Sequence, residues 1–149
     1  MSAFVSAGAG FLLAVLWFDL MFDVQVRGHR DGALPERVLD SISAYYARVT
    51  TAARPMNRLI SAVMLATIAA IVVEIARGEA HPWVAWLSLA LALAAIALAA
   101  VRIVPDAVRL GARGDPLERR STLAVKIFRG HVLCAVLIAA LLVLQLAFS

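Results

Sequence analysis

The chain has 149 residues, 63% of them hydrophobic, with a mean hydropathy of +0.89 and a net charge of +4. A soluble domain averages roughly 45–50% apolar residues, and one of this size could not hide the excess in a single core, so lipid must be the solvent for part of the chain. The basic balance, with a pI of about 10.2, does not indicate nucleic acid, because the arginines flank apolar runs and no nucleic-acid motif accompanies them.

The first apolar run covers about residues 3–26 and carries no charge before Asp19. It lacks a basic segment ahead of it, and its positive charges follow, at Arg27 and Arg30; a retained helix is expected rather than a cleaved signal. The connection after it contains Leu34-Pro35-Glu36, where proline suits the first turn of a helix. Val38, Ile42, Tyr45 and Val49 then recur at helical spacing, widened by Leu39 and Tyr46, which predicts an amphipathic helix. That helix either packs on a bundle or lies along the membrane surface as a lid.

The second run covers about residues 57–77 and the third about 83–104. The third begins with Trp83 to Val101, free of charge. Span three is expected to continue past the lipid, with a kink at Pro105, until Gly111, Gly114 and Asp115 break it. Asp115-Pro116 reads as an N-cap and first-turn pair, after which the chain feeds into a fourth span at about 128–148. Each run approaches the ~20 residues that cross ~30 Å of hydrocarbon at 1.5 Å per residue. The predicted fold is an all-α membrane protein in one integral membrane domain, residues 1–149. It is a four-transmembrane-helix antiparallel bundle with a cytoplasmic amphipathic helix between spans one and two.

Orientation follows from charge. Of the 14 Lys and Arg residues, thirteen lie in two connections. Arg27, Arg30, Arg37, Arg48, Arg54 and Arg58 follow span one. Arg102, Arg109, Arg113, Arg119, Arg120, Lys126 and Arg129 follow span three, and Arg77 alone follows span two. The positive-inside rule puts both basic connections in the cytoplasm and both termini outside, in a membrane of the bacterial inner or plasma type. Trp83 and Trp86 suit the outer interface. Anionic lipid headgroups on the cytoplasmic side are the expected partners of the basic connections.

One polar constellation stands out. Asp19 and Asp23 are four residues apart and share a helix face inside span one. An ionised carboxylate at that depth needs partners in the bundle. Those at similar depth are Asn57, Arg58, Arg102, Arg129 and His131. These seven residues form either a ligand site open to the cytoplasmic leaflet or an ion-paired collar that holds the helices in register. As a site, Asp19 would accept a proton or ligand, His131 would be its acid–base partner and Arg102 an anion clamp. No catalytic residue can be assigned, so whether the chain is an enzyme stays open, and no cofactor is expected. No metal site is expected either, since neither a Glu-x-x-His motif nor a histidine pair occurs, and His29 and His81 fall on opposite sides. Cys134 is the single cysteine and can form no internal disulfide.

Glu74 is expected to pair with Arg77 at the outer end of span two. Ser6, Gly8 and Gly10 in span one, and the alanines of span three, let helices approach closely. They serve packing inside the bundle or the seam of a homo-oligomer.

The layout resembles small four-helix integral membrane families that include the anthrone-oxygenase-like domain of unknown function. The shared features are an apolar first helix, an amphipathic connection, a second span opening at Asn57-Arg58, and the histidine in Arg129-Gly130-His131-Val132. The resemblance implies a pocket near Asn57, Arg58 and His131 for a hydrophobic, aromatic or quinone-like molecule. Three functions are compatible with these features. The first is a membrane protein binding a lipophilic molecule near the cytoplasmic leaflet. The second is a structural or accessory subunit without catalysis. The third is a small proton-coupled transporter using Asp19.

Overall fold

In a computed structural model, residues 2–28 and 33–148 are described; His29 and Arg30, read above as part of the first connection, lie outside them. Among the described residues there are no strands. The helices are α1 (Ser2–Asp23), α2 (Glu36–Ala47), α3 (Arg54–Arg77), α4 (Pro82–Leu98), α5 (Val104–Ala112) and α6 (Leu117–Phe148). A tight 3-10 turn, Val24–Gly28, closes α1. Four stretches are long and apolar enough to cross a bilayer: Ser2–Arg27, Pro55–Arg77, Pro82–Ala112 and Leu117–Phe148. The protein is an all-α membrane bundle.

Round the ring, α1 packs on α3 and α6, and α4 packs on α3 and α6. The side chains are sorted for lipid. Val101, Phe4, Leu146 and Leu65 are 69–73% exposed, whereas Ala85, Ala92 and Ala95 of α4 are buried. Small residues inside let backbones approach, and large apolar ones outside meet acyl chains. Such an apolar surface would aggregate in water.

Two prolines explain the irregular turns. Pro105 has no N–H, and its ring would collide with the carbonyl of Val101 in a regular helix. The chain widens into a π turn, Ala99–Ile103, where Val104 N–H reaches back to Ala99 O, so α4 and α5 form one continuous rod. A second π turn, Arg48–Ala52, extends α2 just before Pro55 opens α3. The rod from Pro82 to Ala112 has 31 residues and α6 has 32, so each spans about 45–50 Å. Both overshoot a ~30 Å hydrocarbon core and project from it at the basic end.

That projection receives α2. Leu39, Ile42, Ser43 and Tyr46 are its buried face, while Val38, Tyr45 and Val49 are half-buried. The inward stripe is therefore turned slightly from the one expected, and α2 packs on α5 and α6 rather than lying free as a lid. Gly111, expected to break the helix, lies inside α5. A Cβ there would stand 2.8 Å from Ala47 N and 3.0 Å from Ala47 Cα, so its lack of a side chain lets α5 touch the α2 backbone. The break comes at Arg113, in the left-handed conformation at φ 57°. Asp115, expected as an N-cap, accepts from Arg109 Nε and Nη2 on its two carboxylate oxygens at 2.6 and 2.7 Å and so ties the end of α5 to the turn before α6.

Polar pins hold α2 in place. Buried Arg120 of α6 donates from Nη2 to Asp40 Oδ1 at 2.9 Å and to Ser43 Oγ at 3.1 Å. Leu34 N–H donates to Ser121 Oγ at 3.0 Å.

In the membrane, Gly8 lets α1 approach α3 closely at Thr67. A Cβ at Gly8 would come within 2.1 Å of Thr67 Oγ1, whereas Gly10 has open space. Gly8→Ala should destabilise the bundle by about 1–3 kcal/mol. Adding Thr67→Ala should recover most of the loss, because the clashing hydroxyl goes and the remaining carbon lies at 3.2 Å. Unfolding midpoints from titrating detergent micelles with SDS measure both; a Gly8→Ala protein as stable as the parent would refute the contact.

Candidate functional site

The inward face of α1 near the basic end carries Asp19 and Asp23, one turn apart. Asp23 is fully buried, and the Asp19 side chain keeps 19% of its exposure. From α2, the adjacent tyrosines reach them. Tyr45 Oη donates to Asp19 Oδ1 and Tyr46 Oη to Asp23 Oδ1, both at 2.6 Å. From α6, buried His131 places Nδ1 2.7 Å from Asp23 Oδ2 and Nε2 3.8 Å from Asp19 Oδ2. Asp23 thus accepts one bond on each oxygen, and the acceptor carboxylate fixes the Nδ1 proton of His131. Tyr46 Oη and His131 Nδ1 lie 3.4 Å apart, but each already donates to Asp23.

Aromatic contacts frame the network. Phe22 stacks on Tyr45 with ring centres 4.0 Å apart, and Tyr45 meets Tyr46 edge-on at 5.3 Å. Burial, followed by the neighbouring carboxylates, pushes both phenols far above their usual pKa. They therefore remain protonated donors at neutral pH. The result is a polar clamp joining α1, α2 and α6, with charged-group hydrogen bonds of the strong class.

Of the seven residues expected at this level, the fold brings Asp19, Asp23 and His131 together. Asn57 is half-buried and donates to Val49 O at 2.6 Å, closing the π turn ahead of α3. Arg58, Arg102 and Arg129 are exposed and make no ion pair with any described residue. Depth in the membrane follows from position in the sequence, but the side of the helix does not. Tyr45 and Tyr46 are the residues that sequence reasoning missed as polar partners. Their spacing reads equally well as an apolar stripe, and only the polar tips of two consecutive tyrosines hinted at more. Among the described residues, no three His, Cys, Asp or Glu side chains are arranged to hold a metal ion.

A second buried polar group lies at the opposite end. Glu74 of α3 is buried and does not pair with Arg77, which instead meets Glu79 at 3.4 Å beyond the helix end. Gln145 of α6 donates to Glu74 Oε2 at 3.2 Å and to Ser88 Oγ of α4 at 2.9 Å. Glu74 continues the inward stripe of Thr67 and Ile71, all buried, so its rotation on α3 turns it from Arg77 towards α6.

Two surface grooves adjoin the bundle, and neither includes a member of the basic-end network. One, of about 380 Å³, is apolar and lies between α1 and α3, beside Phe4, Gly8 and Thr67. The other, of about 330 Å³, is lined by Arg27, Phe128, Arg129 and Val132.

Over residues 1–148 the chain matches the family described as SHR3_chaperone, ER membrane protein SH3. The chain belongs to the SHR3 chaperone family. No curated protein and no solved structure matches it. Membership in the SHR3 chaperone family and the four apolar helices agree on a small integral membrane protein.

Proposed function

We propose that the protein is an accessory membrane protein that assists the folding or assembly of other integral membrane proteins and performs no covalent chemistry. One observation supports this most. The members of the network of Asp19, Asp23, Tyr45, Tyr46 and His131 bond to one another and line neither groove; Asp19 reaches the outside, with 19% of its side chain exposed. A working acid–base or ligand site turns at least one such group towards space that a substrate can enter. The word chaperone in the family description supports the same reading. So does the broad apolar exterior, which can meet the helices of another protein within the bilayer.

In this reading the basic connections and α2 face the cytoplasm and both termini lie outside, since thirteen of the 14 Lys and Arg residues lie at that end. The same rule holds for an ER membrane, as in the family description, and for an inner membrane of bacterial type.

Deleting the gene should lower the amounts of a subset of integral membrane proteins, read by quantitative proteomics of washed membranes. Re-expressing the wild-type chain or an Asp19→Asn variant should restore them equally. An unchanged membrane proteome would overturn the proposal. Failure of a folded Asp19→Asn protein to restore it would favour a ligand or proton-coupled role for that carboxylate instead.

A further inference from the structure

Arg27 is the first charge after the α1 apolar run other than its inward-facing aspartates, and Arg129 is the last charge before the apolar stretch of α6. The two helices are antiparallel, so both arginines stand at one level, where hydrocarbon gives way to headgroups. The 3-10 turn carrying Arg27 packs on α6, anchored by buried Val26. Arg27 and Arg129 both line one groove of about 330 Å³, with Phe128 and Val132 as its apolar wall. Both are exposed, and neither pairs with a carboxylate among the described residues. Two arginines without a carboxylate partner among the described residues, beside an apolar wall, complement a group that is anionic at one end and hydrocarbon at the other.

We infer that this groove binds one acidic phospholipid. Its phosphate sits between Arg27 and Arg129, and the first carbons of an acyl chain lie against Phe128 and Val132. Guanidinium suits the task because its planar fork offers paired donors to phosphate oxygens. The flexible stems let each arginine reach the headgroup layer while their methylenes remain on apolar surface. A free phosphate would gain the charge contacts but nothing from the wall. The site is independent of any role for the buried clamp, whose members do not line it.

The test uses the purified full-length chain in mixed micelles with dioleoylphosphatidylglycerol or dioleoylphosphatidylcholine, with bound lipid counted by native mass spectrometry. The wild type should retain the glycerol lipid in preference to the choline lipid. The Arg27→Gln/Arg129→Gln double variant should lose that preference on the order of tenfold or more, since each basic residue near an anionic surface contributes measurably. Arg119→Gln should retain it, being ten residues and about 15 Å further along α6 from Arg129. Arg27→Lys/Arg129→Lys should keep most of the preference, which separates loss of charge from loss of fold. Excess inorganic phosphate should leave the lipid bound. Equal retention of both lipids by the wild type, an unaltered preference in the double glutamine variant, or displacement by inorganic phosphate would each overturn the assignment.

Discussion

Replacing Asp23 by alanine is expected to destabilise the bundle by about 2–5 kcal/mol, the sum of leaving two buried hydrogen-bonding groups without their partner. Two hydrogen bonds disappear together, from Tyr46 Oη at 2.6 Å and from His131 Nδ1 at 2.7 Å. Both donors remain buried, with Tyr46 at 2% and His131 at 6% exposure, and each bears its own desolvation cost. Asp23→Asn should cost less, about 1–2 kcal/mol, because the amide oxygen can still accept from Tyr46. Asp19→Ala should also cost less than Asp23→Ala, since its side chain retains contact with the outside and stands 3.8 Å from His131 Nε2. SDS titration of the folded protein in micelles gives these values. A double-mutant cycle of Asp23→Ala with Tyr46→Phe should show a coupling of about 1 kcal/mol or more. If Asp23→Ala unfolds with the parent, the clamp does not stabilise the fold.

Gly111→Val should release α2 from the bundle while leaving the membrane helices in place. A Cβ at this position meets backbone atoms, Ala47 N at 2.8 Å and Tyr46 C at 3.1 Å, so no side-chain rotation can relieve it. Overpacking of this kind costs about 1–3 kcal/mol, and here it falls on the face of α5 against which α2 packs. Moving α2 also withdraws Tyr45 and Tyr46 from the two aspartates, so the effect extends into the clamp. Hydrogen exchange should show faster exchange in Glu36–Ala47 and unchanged protection in α3 and α4. Protection in α2 equal to that of the parent would show that α5 and α2 are not in backbone contact.

Much of the architecture is legible in the order of residues alone. Apolar run length sets the number of spans, and the clustering of arginine separates one end of the bundle from the other. Prolines 35, 55 and 105 mark where helices start or widen, because the missing N–H and the ring act locally. Asp19, Asp23 and His131 are legible as partners because a polar group inside an apolar run must find another. Three other expectations fail. Glu74 avoids Arg77, Asp115 serves Arg109, and Gly111 is a contact rather than a stop. Each turns on a neighbour distant in sequence or on the rotation of a helix.

The sequence by itself therefore determined the solvent of the chain, the number of its apolar spans, and which arginines cluster at one end of the bundle. These depend on composition and on a fixed rise per residue. The tertiary structure alone decided which groups at a given depth face one another. It turned Arg27 and Arg129 outward onto one groove and drew Tyr45 and Tyr46 over the aspartates. The facing of a helix is set by close packing at points such as Gly8 against Thr67 and Gly111 against Ala47, which join residues far apart in the chain and leave no periodic mark in it.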